Sequence, residues 1–405
     1  MLRILLTGVV SGWFLVACWP AVGQEPKTEQ EQLIAAVKRM GGGVKVDSAR
    51  PDKPVTQLHL YKGKTAGVGL EPLTKLTEVD WIGLHASDVT EADLVFLPRW
   101  SKLKRLGLVE TRLTDASLEN LREITTLEEL YLGENAITDA GLERLAKLTN
   151  LTILGIEKTK ITDVGLARLQ PFQKLQWLRI DSNQISEAGL EHVGQLPNLR
   201  DLNLNGCRQV RSLKPLAGMK LNTLKMAYLS QVTDFTPLQG MPLTELDAAF
   251  LNLTDLSFVK GMPLTYLSLS GAVKITDLTP LSGMKLTHLR LEGCRQIQDL
   301  SPLKGMPLAT LTLRGCPAVR DLAPLAAMPI ATLDLLGCND VHDLTPLTGM
   351  PLTDLAFVPT NITNGSIEVL RQCKSLRNIY TGLTANDRYK PEDFWKKFDA
   401  GEFKP

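Results

Sequence analysis

The chain has 405 residues, with 45 Lys plus Arg against 44 Asp plus Glu and a formal net charge of +1. That balance leaves no basic footprint for a nucleic-acid backbone or an anionic membrane surface, so neither is expected as a partner. Length alone suggests two or three globular domains, but a strong internal period overrides that expectation.

Residues 1–23 carry the marks of an export signal. Arg3 supplies a positive start and Ile4 to Ala17 an apolar core. Ala21-Val22-Gly23 is a small-residue cleavage site that would leave Gln24 as the mature start. Leu15-Val16-Ala17-Cys18 overlaps it and resembles a bacterial lipobox, which would make Cys18 the lipidated first residue. Both starts stay open. The apolar run of about 14 residues is shorter than the roughly 20 that span a bilayer, so the only membrane link expected is a lipid anchor at Cys18. Residues 24–54 form an N-terminal cap, in which EQEQLIAAVKRM predicts a short amphipathic helix ended by Gly41-Gly42-Gly43.

From residue 55 the chain repeats. VTQLHL is a first, imperfect hexad and LTEVDW, starting at Leu76, a second. Leu103, Leu127, Leu151, Leu175 and Leu199 follow 24 residues apart, opening LKRLGL, LEELYL, LTILGI, LQWLRI and LRDLNL. Leu221, Leu243, Leu264, Leu286, Leu308, Ile330 and Leu352 continue at 22 residues with one step of 21, and LRNIYT at Leu376 closes the set. A fixed period in the twenties carrying LxxLxL is the signature of a leucine-rich repeat solenoid. The expected fold is therefore α/β. Each hexad forms one strand of a curved parallel sheet, its leucines inward and the intervening residues on the concave face.

The return paths differ between two segments of one continuous domain. Over 55–198, DASLENL, DAGLERL and DVGLARL begin at Asp115, Asp139 and Asp163. Asp is a good N-cap, so convex α-helices of about two turns are predicted. Over 199–360 the path shortens to DLTPLSGM, DLSPLKGM and DLAPLAAM, and Pro280, Pro302, Pro324 and Pro346 predict turns or short 3-10 segments. Asp277, Asp299, Asp321 and Asp343 would cap those turns, with a calcium ladder as the alternative. Residues 361–405 hold the last repeat and a tail containing Phe394, Trp395, Phe398 and Phe403, read as a capping helix or as a docking peptide.

The hexads together with ITDxGL and TDLTPL place the chain among sequences that resemble bacterial leucine-rich repeat proteins. The 22-residue repeats, such as DLTPLSGMKLTHLRLEGCRQIQDLSPL, resemble the internalin type; the ITDxGL repeats are similar to those of exported planctomycete proteins. The resemblance spans roughly residues 55 to 380 and implies protein binding on the concave face. No LPxTG-like wall anchor or Ig-like module accompanies it in the sequence, so host adhesion is not expected.

Four of six cysteines, Cys207, Cys294, Cys316 and Cys338, occupy one repeat position, which Thr111, Asn135, Thr159, Asn183, Leu229, Leu251, Ala272 and Thr360 fill elsewhere. That pattern predicts a small inward slot filled by free thiols acting as compact hydrophobes, with a disulfide between stacked neighbours as the alternative. No nucleophile elbow, zinc-protease helix or phosphate loop is present, no cofactor is expected, and the chain is read as non-catalytic. Of the histidines only His288 is placed on the concave face.

The concave positions are where repetition stops. Tyr131, Trp177, Arg179, Asp181, Tyr266, His288 and Arg290 are the candidate binding residues, because aromatic and arginine side chains dominate interface energetics. Gly107, Gly133 and Gly155 beside them predict a shallow hollow. The expected function is an exported module that binds a protein partner, with carbohydrate as a second candidate ligand. The alternative is a lipid-anchored structural component of the envelope with no specific partner.

Overall fold

The computed structural model describes residues 28–64 and 69–403; the export signal, with Cys18 and Gln24, lies outside them. Fifteen parallel strands run in chain order from Val55–His59 to Asn378–Tyr380, one per repeat. Their register is constant: Leu106 pairs with Leu130, Leu130 with Leu154, and Leu333 with Leu355. Each repeat thereby buries its leucines against those of the next, giving one continuous core from Val37 to Phe394.

The second strand corrects the hexad register. It is Trp81–Gly83, paired with Gln57–His59 and with Arg105–Gly107. The hexad is therefore VDWIGL from Val79, not LTEVDW from Leu76, and the 24-residue spacing extends back to Val55. Leu73 and Leu76, which look like hexad leucines, belong to a 3-10 segment, Glu71–Lys75, and the residue capping it.

The sheet edges hold two strands that the periodicity did not predict. Gly43–Val46 runs antiparallel to Val55–His59, and Arg388–Tyr389 antiparallel to Asn378–Tyr380. Each gives an outermost repeat a hydrogen-bonding neighbour where bare edge amides would otherwise recruit another chain. Helix Glu29–Arg39, started by a Thr28/Glu31 capping box, packs beside the first edge. Helix Pro391–Asp399 closes the other end. Its Phe394 is fully buried, 6.1 Å from Phe357 and 5.2 Å from Phe403, and the Arg371 guanidinium lies 4.0 Å from the Trp395 ring. The tail aromatics thus pack on the core and on one another.

Behind the sheet, Asp139–Arg144, Asp163–Leu166 and Glu187–Val193 are α-helical, at four to seven residues mostly shorter than the expected two turns. Ala116–Leu121, expected as α, is 3-10. The caps also differ from expectation. Thr138, Thr162 and Ser186 cap the helices, while each aspartate reaches into the following repeat. Asp139 accepts hydrogen bonds from the Thr162 amide and hydroxyl, each at 2.7 Å, and Asp115 and Asp163 do the same to Thr138 and Ser186. This explains the glycine of ITDxGL. A Cβ on Gly165 would sit 2.3 Å from Asp139 Oδ1, and one on Gly189 2.4 Å from Asp163 Oδ1. At the head of the series Glu91 precedes in place of an aspartate, and Ser117 takes the glycine position.

From Lys214–Leu216 to Thr345–Leu347 the return path is a three-residue 3-10 turn, all but one with proline near the start, and the last, Ser366–Gln372, is a seven-residue 3-10 helix. Asp277, Asp299, Asp321 and Asp343 each accept the amide two residues ahead at 2.7–2.8 Å, as turn caps do. Among the described residues no group of three or more His, Cys, Asp or Glu is placed to hold a metal ion.

The cysteine slot is a ladder of donors and not merely a space for small apolar groups. Cys207, Cys294, Cys316 and Cys338 are free and buried, and each thiol donates to a carbonyl one repeat back: Ile180, Leu269, Leu291 and Leu313, at 3.0–3.3 Å. Asn135 and Asn183 donate to Leu108 and Ile156 in the same way at 2.7 Å. Burial pushes the Cys316 thiol up to about 11 and Cys294 and Cys338 to about 12.

Candidate interaction surface

Strand alternation sends Tyr131, Trp177, Arg179 and Asp181 to the solvent face, and the structure brings them together. Tyr131 and Trp177 meet edge to face at 6.2 Å although a strand lies between them. On the strand between, Ile153 stands opposite Trp177 and Gly155 opposite Tyr131; a Cβ on Gly155 would lie 3.4 Å from the Tyr131 ring, so the glycine leaves that ring room to lean across. The Tyr131 hydroxyl donates to Glu129 at 3.0 Å; burial and that charge push its pKa up. Both rings are half-buried.

Arg179 is held from two sides. Its Nε donates to Asp181 at 2.8 Å and its Nη1 lies 3.4 Å from Glu157. Asp181 also accepts from Asn203 at 3.0 Å, so a nearly buried carboxylate fixes the guanidinium from below. Glu157, outward on the same face two residues past Gly155, joins them. Its carboxyl fills the space over Gly133, where a Cβ would lie 2.3 Å away, and its Oε2 has no hydrogen-bond partner. Burial raises its pKa, opposed by its own backbone amide and by Arg179.

The hollow expected over Gly107, Gly133 and Gly155 is therefore filled, by the His85 ring over Gly107 and by Glu157 over the other two. Side chains from the neighbouring strand reach sideways into space that one strand's sequence leaves open. The depression lies instead on the far side of Trp177. It has a volume of about 410 Å³ between Trp177 and Arg179 on one wall and Lys225 and Glu245 on the other, floored by Asp201, Asn203 and Thr223.

The remaining candidates form a separate group. Tyr266 and His288 pair at 6.4 Å, and Arg290 is exposed beside them. Four strand spacings, about 19 Å, separate Tyr266 from Trp177.

A third cluster escaped sequence reasoning. Trp81 lies 5.2 Å from the His59 ring and 4.6 Å from the Arg105 guanidinium, which also binds Asp80 at 2.7 Å. His59 and His85 thus join His288 on this face. Burial lowers the pKa of both, reinforced by Arg105 at His59 and by His59 at His85. Counting 24 back from Leu103 to Val79 is the signal that finds them.

An open, mostly parallel sheet of one strand per repeat, backed by short helices and proline turns, defines a leucine-rich repeat solenoid. Leucine-rich repeat family models match residues 123–146 and, as two copies, 173–218. The solenoid is similar to that of an internalin (inlF) from Listeria monocytogenes, at 23% identity and a TM-score of 0.58 over 88% of this chain and 95% of that one. The functional domain of InlJ from the same organism, described as including a cysteine ladder, aligns at 20% identity and a TM-score of 0.44 over 80% and 73%. No curated protein matches. The chain is thus a leucine-rich repeat protein with an internalin-like fold. Among the described residues no helix is long and apolar enough to cross a membrane.

Proposed function

We propose that this chain is an exported, non-catalytic interaction module that binds a protein partner on the open sheet face, centred on Trp177. The observation that carries the reading is the pairing of an aromatic anchor with a restrained arginine at the rim of a depression. Trp177 is braced by Tyr131, and Arg179 is fixed by Asp181 before any partner arrives. Both lose little rotamer freedom on binding, which is the condition for a hot spot.

The test uses the mature protein as bait on an envelope fraction, followed by affinity measurements with the captured partner. Trp177→Ala should weaken binding by roughly 2 kcal/mol or more. Lys147→Ala on the convex side, where Lys147 pairs only with Glu123, should leave it unchanged. Equal tolerance at both positions would remove this face as the site. Export is checked by N-terminal sequencing from the native host: a start at Gln24 or a blocked Cys18 supports it, and an intact Met1 refutes it.

A further inference from the structure

The residue three positions past the strand adopts a left-handed backbone in every repeat from Lys62 to Gly337; glycine fills it at Gly206, Gly271, Gly293, Gly315 and Gly337, and small or flexible residues at Lys62, Ala86, Glu110, Glu134, Lys158 and Ser182. Two adjacent repeats place large aromatics there instead: Tyr228 at φ 65° and Phe250 at φ 55°. Bulky side chains rarely adopt this conformation, because Cβ crowds the carbonyl. Nor does the core repay them. Tyr228 is 47% exposed and Phe250 48%, and their rings stack on one another at 4.6 Å and 6° along the rim of the sheet. The fold would be served better by glycine at both places.

The chemistry around the pair narrows what it meets. Elsewhere this rim is charged, with Glu110, Arg112, Lys158 and Lys160 in one half and Arg295 in the other. At the matching positions between Arg208 and Lys274 stand only the two rings with exposed Ser230, Asn252 and Val273, while Arg211 approaches from behind and donates to Gln231 at 2.9 Å. A second copy of this chain fits poorly. A two-fold axis through the pair would set Arg208 of one molecule against Lys274 of the other. The charges nearest the pair are already engaged, Arg211 with Gln231 and Asp247 with the Ala249 amide, and offer an ionic ligand little. Flat aromatic surface bordered by a hydroxyl and an amide suits a neutral ligand with an apolar C–H face and a hydroxylated edge, which is the description of a pyranose.

We propose that the Tyr228–Phe250 rim is a contact site for neutral hexopyranose chains, separate from the protein-binding face and independent of it. The probes are cellohexaose, chitohexaose and maltohexaose with the mature chain, read by saturation-transfer NMR and calorimetry. At least one should bind with a Kd below about 10 mM. Tyr228→Gly and Phe250→Gly should each weaken it about tenfold or more while the melting temperature holds or rises, since glycine relieves both positions. Three outcomes overturn the proposal. One is no binding by any probe. Another is equal binding by the double glycine variant, or a fall of its melting temperature, which would make the rings a structural staple. The third is a concentration-dependent dimer in sedimentation that Tyr228→Gly abolishes.

Discussion

Glu157 illustrates how one side chain can support a surface and tax the fold together. Its carboxyl roofs two glycines and steadies Arg179, yet Oε2 is buried without a partner and desolvation raises its pKa. The folded state then holds the proton more tightly than the unfolded chain does. The resulting cost is absent below the unfolded value of about 4.3 and develops as pH rises through the folded one. Glu157→Gln keeps the shape and removes the charge, while Arg179 keeps Asp181. Thermal melts should show the variant more stable than the parent at pH 7 and equal to it at pH 4. Equal gains at both pH values would mean that ionisation is not the source. Sequence alone showed Tyr131, Trp177 and Arg179 as a patch, because alternation and a known strand spacing fix which way they face. Alternation also turns Glu157 outward, but could not show it covering Gly133, because that depends on a glycine in the preceding repeat and on the side chain leaning sideways.

At the scale of the repeat, the slot residues and the aspartates, a few positions apart past each strand, both join neighbours. The two kinds of slot residue differ in what they leave behind when removed. Asn135 donates to the Leu108 carbonyl and accepts the Thr111 and Leu113 amides, at 2.7–3.0 Å. Cys316 makes a single weak bond to Leu291. Asn135→Ala should therefore cost about 2–4 kcal/mol in denaturant unfolding, and Cys316→Ala about 1 kcal/mol. With thiols pushed up to about 11–12, alkylation at pH 8 should spare Cys294, Cys316 and Cys338 until the protein is unfolded. A linked Cys294–Cys316 or Cys316–Cys338 pair in mass spectrometry would contradict this. The period made these positions visible, but not their polarity: Asn and Cys reach a carbonyl one repeat back, Thr111 and Thr159 one in their own repeat, and Leu229, Leu251 and Ala272 in the same slot donate none. The slip to Leu76 has a similar origin. Leucine identity outweighed spacing at a repeat whose hexad opens with Val79 and centres on Ile82.

For the molecule as a whole, stability is local and the ends matter most. Phe394 is fully buried over the last repeats, with Phe357, Phe398 and Phe403 around it. Phe394→Ala should cost about 3–5 kcal/mol. Hydrogen exchange should speed up over residues 354–380 and stay unchanged over 129–203. Uniform acceleration would mean that the solenoid unfolds as one unit. The capping strand Gly43–Val46 was not legible in GVKV, four residues whose pairing depends on the neighbour they cover.

The unbroken register across the change from 24- to 22-residue repeats has one more consequence. Every feature of the sheet sits at a whole number of strand spacings from every other, so distances along the solenoid are quantised in steps of about 4.8 Å. Excising one complete repeat, such as residues 286–307, would draw its neighbours together by one step and leave their side chains as they were. The molecule is in this respect a ruler with removable divisions, on which a partner's span is measured in repeats.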